Sequence, residues 1–113
     1  ITINESFSRI LRDHHGNKYK TFKTKSTTWP SIQKKYKELL KNIDFFKIDI
    51  EGADLKVLKS IDLNKLKVKL IMIEASNLDS NDRNETINYL NSKNFTILFD
   101  NNLNIIFENK NLV

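Results

Sequence analysis

Two acidic exits stand out in this chain. Asp49 and Glu51 follow the apolar run Phe45-Phe46-Lys47-Ile48, and Glu74 follows Leu70-Ile71-Met72-Ile73, with Ser76 and Asn77 just beyond. Carboxylates at strand ends can take a proton from a hydroxyl, orient a polar ligand, or supply oxygen ligands to a hard cation such as Mg²⁺. The same acids could instead serve structure alone. They would complement the dipole of a helix starting beside them, worth ~0.3–1 kcal/mol, or cap its free amides. Nothing in the pattern fixes a cation site, and no metal is assigned.

The elements that must position these acids read as follows. Phe45, Phe46, Ile48 and Ile50 are aromatic or β-branched, in a run too short for an ordinary helix, which predicts a strand. Gly52 breaks it, and Ala53, Val57, Leu58 and Ile61 recur at helical spacing; Gly52 could also serve close helix–strand packing. The unbroken Leu70–Ile73 run fits a parallel strand covered on both faces, with the intervening helix as a right-handed crossover. Parallel neighbours lie about 4.8 Å apart, so Asp49 and Glu74 are expected to reach one pocket outside the carboxyl ends of their strands.

Around this centre, residues 1–4 read as a strand end and residues 5–9 as a loop. His14-His15-Gly16-Asn17 reads as a turn with exposed histidines, since adjacent residues on a strand point to opposite faces and cannot share one ion. Tyr19 to Thr28 suits a strand with one wet face. Thr28 sits as an N-cap with Pro30 in the first turn of a helix. Its apolar stripe is Ile32, Tyr36, Leu39 and Leu40, and Asn42 is its expected stop. Asp82 and Glu85 resemble a capping box for a helix through Ile87, Tyr89 and Leu90, closed by Asn94. Phe95–Phe99 and Leu103–Phe107 then form a hairpin about Asp100-Asn101-Asn102.

Length and composition set bounds. The 113 residues, 39% hydrophobic and 29% charged, suit a single globular segment. No apolar run approaches the ~18 residues of a membrane-spanning helix. The polar start, on Ile rather than Met, gives no expectation of a signal peptide. With no Cys there is no disulfide framework, thiolate ligand or thiol nucleophile, and the expected location is cytoplasmic. Residues 1–47 carry 11 cations against 4 acids, whereas residues 48–113 carry 8 against 10. The basic half could face an anionic partner. However, only Arg9, Arg12 and Arg83 offer the planar fork favoured for phosphate and bases, and no RNA-binding or helix-turn-helix signature is present. A solvated surface is the simpler reading, and nucleic acid is not an expected partner.

KIDIEGADLKVLKS at 47–60, followed by LIMIEASN at 70–77, resembles the FkbM-type family of S-adenosylmethionine-dependent methyltransferases. That family carries a K-I-D-[VI]-E-G-x-E-x-x-V-L-like segment and then a buried strand ending in Glu. The resemblance runs from about Phe22 to Phe107 and is strongest over residues 45–77; Trp29 stands where the family often has Leu. It implies an α/β fold, the carboxyl-terminal half of a class I methyltransferase (Rossmann-like) sheet. The order would be strand-helix-strand-helix followed by an antiparallel hairpin.

The resemblance further implies methyl transfer from S-adenosylmethionine to a hydroxyl acceptor, a small molecule or glycan, with sugars among the implied class. Asp49 would be the acid facing both cofactor and acceptor. Glu51 and Glu74 would serve orientation or base work, and Asn4, Ser6, Ser8 and Asn77 would line the acceptor side. One part of the family pattern is missing. The only glycines are Gly16 and Gly52, so the glycine-rich cofactor loop has no counterpart. Residues 1–113 are therefore expected to be one segment, the carboxyl-terminal half of a methyltransferase domain without its cofactor-loop half. The alternative is a non-catalytic interaction module derived from such an enzyme, binding an anionic partner through its Lys-rich amino-terminal half.

Overall fold

The computed structural model describes residues 11–12, 16, 18–19, 25–50 and 52–112. The expected strand end at 1–4, His14, His15, Asn4, Ser6, Ser8 and Glu51 lie outside the described residues. Strands β1 (Leu11–Arg12) and β2 (Lys18–Tyr19) pair antiparallel, with Gly16 between them at φ +82°. The strand expected over Tyr19 to Thr28 does not run that far, since residues 25–28 belong to no strand.

Helix α1 (Trp29–Lys35) opens as the sequence predicts: the Thr28 hydroxyl accepts from the Ser31 amide at 3.3 Å, and Pro30 sits in the first turn, where no amide donor is needed. It ends earlier than expected. Residues 36–40 form turns, Leu39 is 78% exposed, and Asn42 begins the next strand rather than stopping the helix. The physical reason is pairing: Asn42 must lie opposite Lys67, so the residues before it are spent reversing the chain.

The main sheet has the order β3-β4-β6-β5, built from β3 (Asn42–Ile48), β4 (Lys67–Glu74), β5 (Phe95–Asp100) and β6 (Asn104–Asn109). Strands β3 and β4 are parallel and joined through α2 (Asp54–Ser60); β4 leads through α3 (Ser80–Ser92) to β5. The β5–β6 hairpin is antiparallel as expected, with Asn102 at φ +67° in its loop, and β6 inserts between β4 and β5. The sequence-predicted capping box is displaced by one turn: Asp79, not Asp82, caps α3, accepting from the Asp82 amide at 2.8 Å. Asn94 closes that helix in the left-handed conformation, φ +65°, as its type allows.

Register sorts the two faces. Phe46, Ile48, Ile71, Ile73, Ile105 and Phe107 share one face, and they pack with Leu58 of α2 and Leu90 of α3 into the core. Ile71, Ile73, Ile105, Phe107, Leu58 and Leu90 are fully buried, each contributing about 1.5–3 kcal/mol by leaving water. Trp29 meets Phe46 edge-on at 5.1 Å between centroids, bringing α1 to the same side. The opposite face is more open: Phe45 is 49% exposed, and Leu70, Met72 and Ile106 are only partly buried. The expectation that β4 is interior holds, but among the described residues helices cover one face of it.

Candidate functional site

The β3–β4 register sets the site. Ile48 lies opposite Ile73, so the chains leave these two strands side by side, with Asp49 and Glu74 at the same rim. Their side chains are close enough to interact, since Glu74 is one of the groups that perturb the Asp49 carboxyl. Lys47, two residues earlier on the same strand face, places Nζ 2.9 Å from Asp49 Oδ2. On the other side, Ser76 donates its hydroxyl to Glu74 Oε1 at 2.7 Å. The rim is therefore a chain of polar groups, Lys47–Asp49–Glu74–Ser76, drawn from two strands.

The Lys47 ammonium beside Asp49, with nearby Glu74 as a further contributor, holds the Asp49 carboxyl below its ordinary value of 3.8. The same contact, with Glu74 adding to it, pushes the Lys47 ammonium above its usual 10.5. The lowered carboxylate supports folding above its unfolded value, and that support is lost as the pH falls through the folded one. The raised ammonium supports folding below its unfolded value, and that support is lost as the pH rises through the folded one. The pair is intact across the whole neutral range. Replacing Lys47 by Met should move the Asp49 carboxyl upward, read as the pH midpoint of its ¹³C resonance; an unmoved midpoint would contradict the pairing.

The loop after β3 is shaped by a residue the sequence reading passed over. Asp54, the first residue of α2, is 3% exposed and accepts from the Ile50 amide at 3.4 Å and the Gly52 amide at 3.3 Å. It ties down the amides of the turn before α2, whose own N-terminus has no side-chain cap. The signal was available, since an acid two residues past a glycine at a helix start is a natural acceptor for turn amides. Gly52 itself has φ +95°, and a Cβ built on it meets nothing within 4 Å. Its role is thus the left-handed backbone of this turn, and close helix–strand packing is not the reason for it.

Other expected site residues fall as follows. Asn77 lies in the exposed turn three residues beyond Glu74, on the β4–α3 connection. A pocket of ≈ 290 Å³ opens between the two exit loops, lined by Gly52, Leu55, Lys56, Lys59, Leu78 and Asp82. Lys59 is held across it by Glu85 of α3 at 2.5 Å. No group of three or more His, Asp or Glu side chains among the described residues is arranged to hold a metal ion. Among the same residues no helix is long and apolar enough to cross a membrane.

An acidic rim on parallel strands, entered through an I-D-x-E-G turn and followed by a second strand ending in Glu, sets the comparison with known families. The family model for the methyltransferase FkbM domain matches residues 3–97. The chain belongs to this family. The match spans β1 through the first half of β5 and includes every candidate site residue, so the rim of this FkbM domain lies wholly within it. No curated protein and no solved structure matches the chain.

Proposed function

We propose that this FkbM chain is the acceptor-side, carboxyl-terminal portion of an S-adenosylmethionine-dependent O-methyltransferase acting on a hydroxyl of a small molecule or glycan, sugars being one such class. The observation that carries this reading is the meeting of Asp49 and Glu74 at the carboxyl ends of two parallel strands. The sheet supports the division into portions. Strand β3 has no partner on its outer edge among the described residues, and the face bearing Phe45 and Met72 is partly open. That edge and face suit further parallel strands and their helices, and a reversed β6 set inside β5 suits the closing edge of a class I methyltransferase sheet.

The residues present fit one side of the donor and not the other. Two carboxylates at a strand rim suit a cationic sulfonium neighbour and a hydroxyl acceptor. A phosphate-free, glycine-lined cradle for ribose and methionine has no material here, because Gly16 and Gly52 stand alone and Gly52 is committed to the acid turn. S-adenosylmethionine, when bound, supplies an electrophilic methyl group. The chain's part is alignment and proton handling. Asp49, kept ionised by Lys47, accepts a hydrogen bond from the acceptor hydroxyl and orients its oxygen. Glu74, steadied by Ser76, takes the hydroxyl proton onto a carboxylate oxygen as the oxygen becomes nucleophilic. Glu51 is a further candidate for orientation, and Asn4, Ser6, Ser8 and Asn77 for acceptor contacts.

Calorimetry on the 113-residue chain tests the division. Binding of S-adenosylmethionine should be weak, with a Kd of order millimolar or above, as expected for a site lacking its main cradle. Micromolar binding by the chain alone would contradict the assignment.

A further inference from the structure

We propose that the turn linking α1 to β3 is a docking surface for an anionic lipid membrane. Four observations converge there. Leu39 is 78% exposed, the highest value among the large hydrophobic residues described, and Tyr36 beside it is 43% exposed. Lys34, Lys35 and Lys37, together with Glu38, surround the same surface depression as Tyr36 and Leu39. Lys37 continues into a second depression, of ≈ 270 Å³, with Lys41 and Lys65 around Leu40 and Leu66. Few of these charges are neutralised: Lys41 pairs with Glu38 and Lys65 with Asp62, whereas Lys34, Lys35 and Lys37 have no carboxylate partner among the described residues.

The chemistry selects the partner. A protruding aliphatic side chain ringed by ammonium groups matches the boundary of a bilayer, where Leu enters the acyl region and lysine stems lie along it with their heads among anionic headgroups. A nucleic acid would use the ammonium groups but has no place for Leu39, and the cluster contains no arginine. The Lys35 ammonium lies 5.2 Å from the Tyr36 ring centre, keeping the ring at the level of the charges. The early end of α1 is what exposes this group, because a continued helix would carry Leu39 on its own apolar stripe. The turn precedes β3, so it lies at the end of the sheet opposite the Asp49–Glu74 rim and leaves that rim open while docked. The inference is independent of methyl transfer.

The test is sedimentation of the 113-residue chain with vesicles of phosphatidylcholine alone and of phosphatidylcholine mixed equally with phosphatidylglycerol. Binding is expected only to the mixed vesicles and should weaken as salt is raised. Replacing Lys34, Lys35 and Lys37 together by Gln should weaken it about a hundredfold, from roughly a factor of five per lysine. Leu39→Ser, at an exposed position that folding does not need, should weaken it about tenfold. The proposal is overturned by equal binding to both vesicle types, by no binding to either, or by undiminished binding of Leu39→Ser. Binding to a single-stranded oligonucleotide without binding to mixed vesicles overturns it as well.

Discussion

Replacing Asp49 by Asn should lower methyl transfer by about 10²–10³-fold, measured in the chain joined to the donor-binding portion proposed above. The substitution keeps shape and removes charge. Lys47 then loses its ion pair, and the acceptor hydroxyl is oriented by a neutral amide in place of a charged carboxylate, which weakens the hydrogen bond. The loss should fall on kcat more than on KM, because the lost interaction strengthens as the oxygen becomes nucleophilic. Asp49 is exposed and its ion pair with Lys47 is at the surface, so folding should be nearly untouched. An equal loss of stability and activity would instead assign Asp49 to structure.

Replacing Asp54 by Ala should cost about 2 kcal/mol of folding stability, read as the urea midpoint of the 113-residue chain. The buried carboxylate serves two amides of the β3–α2 turn, and its removal leaves both without their acceptor. For a domain of this size that corresponds to roughly 10 °C in Tm. Asp54→Asn should cost less, since one oxygen remains to accept. A midpoint unchanged in Asp54→Ala would mean that the turn carrying Asp49 is held by something else.

Much of this was legible in the sequence for a physical reason. The Phe45–Ile48 and Leu70–Ile73 runs are rich in β-branched or aromatic residues and too short for ordinary helices, so they read as strands, and a connecting helix between them makes the pair parallel. Once parallel, adjacent acids at Asp49 and Glu74 follow from strand geometry. Local caps were equally readable at Thr28 and Asn94.

What the sequence obscured were choices between near-equal local options. Asp79 and Asp82 both offer an acid three residues before another acid, and only tertiary packing selects Asp79 as the cap. The stripe Ile32, Tyr36, Leu39 and Leu40 keeps helical spacing past Lys35, yet β3 must begin at Asn42, and the helix yields to the sheet. Strand β5 is the more apolar half of the hairpin, yet it takes the edge of the sheet. Strand β6 takes the inner place, alternating Ile105, Phe107 and Asn109 into the core, while Ile97, Leu98 and Phe99 stay 43–56% exposed. A register shift between Ile97 and Phe99 interrupts the alternation in β5, and of its apolar residues only Phe95 is in the core.

The most direct test is a double-substitution cycle at the rim: methyl-transfer rates of the unsubstituted protein, Asp49→Asn, Glu74→Gln and the two combined. Side chains that leave neighbouring strand ends and act on one acceptor hydroxyl act as a unit, so the combined variant should be hardly slower than the slower single one. Rates that multiply would show two independent groups, and single variants as fast as the unsubstituted protein would place the chemistry elsewhere.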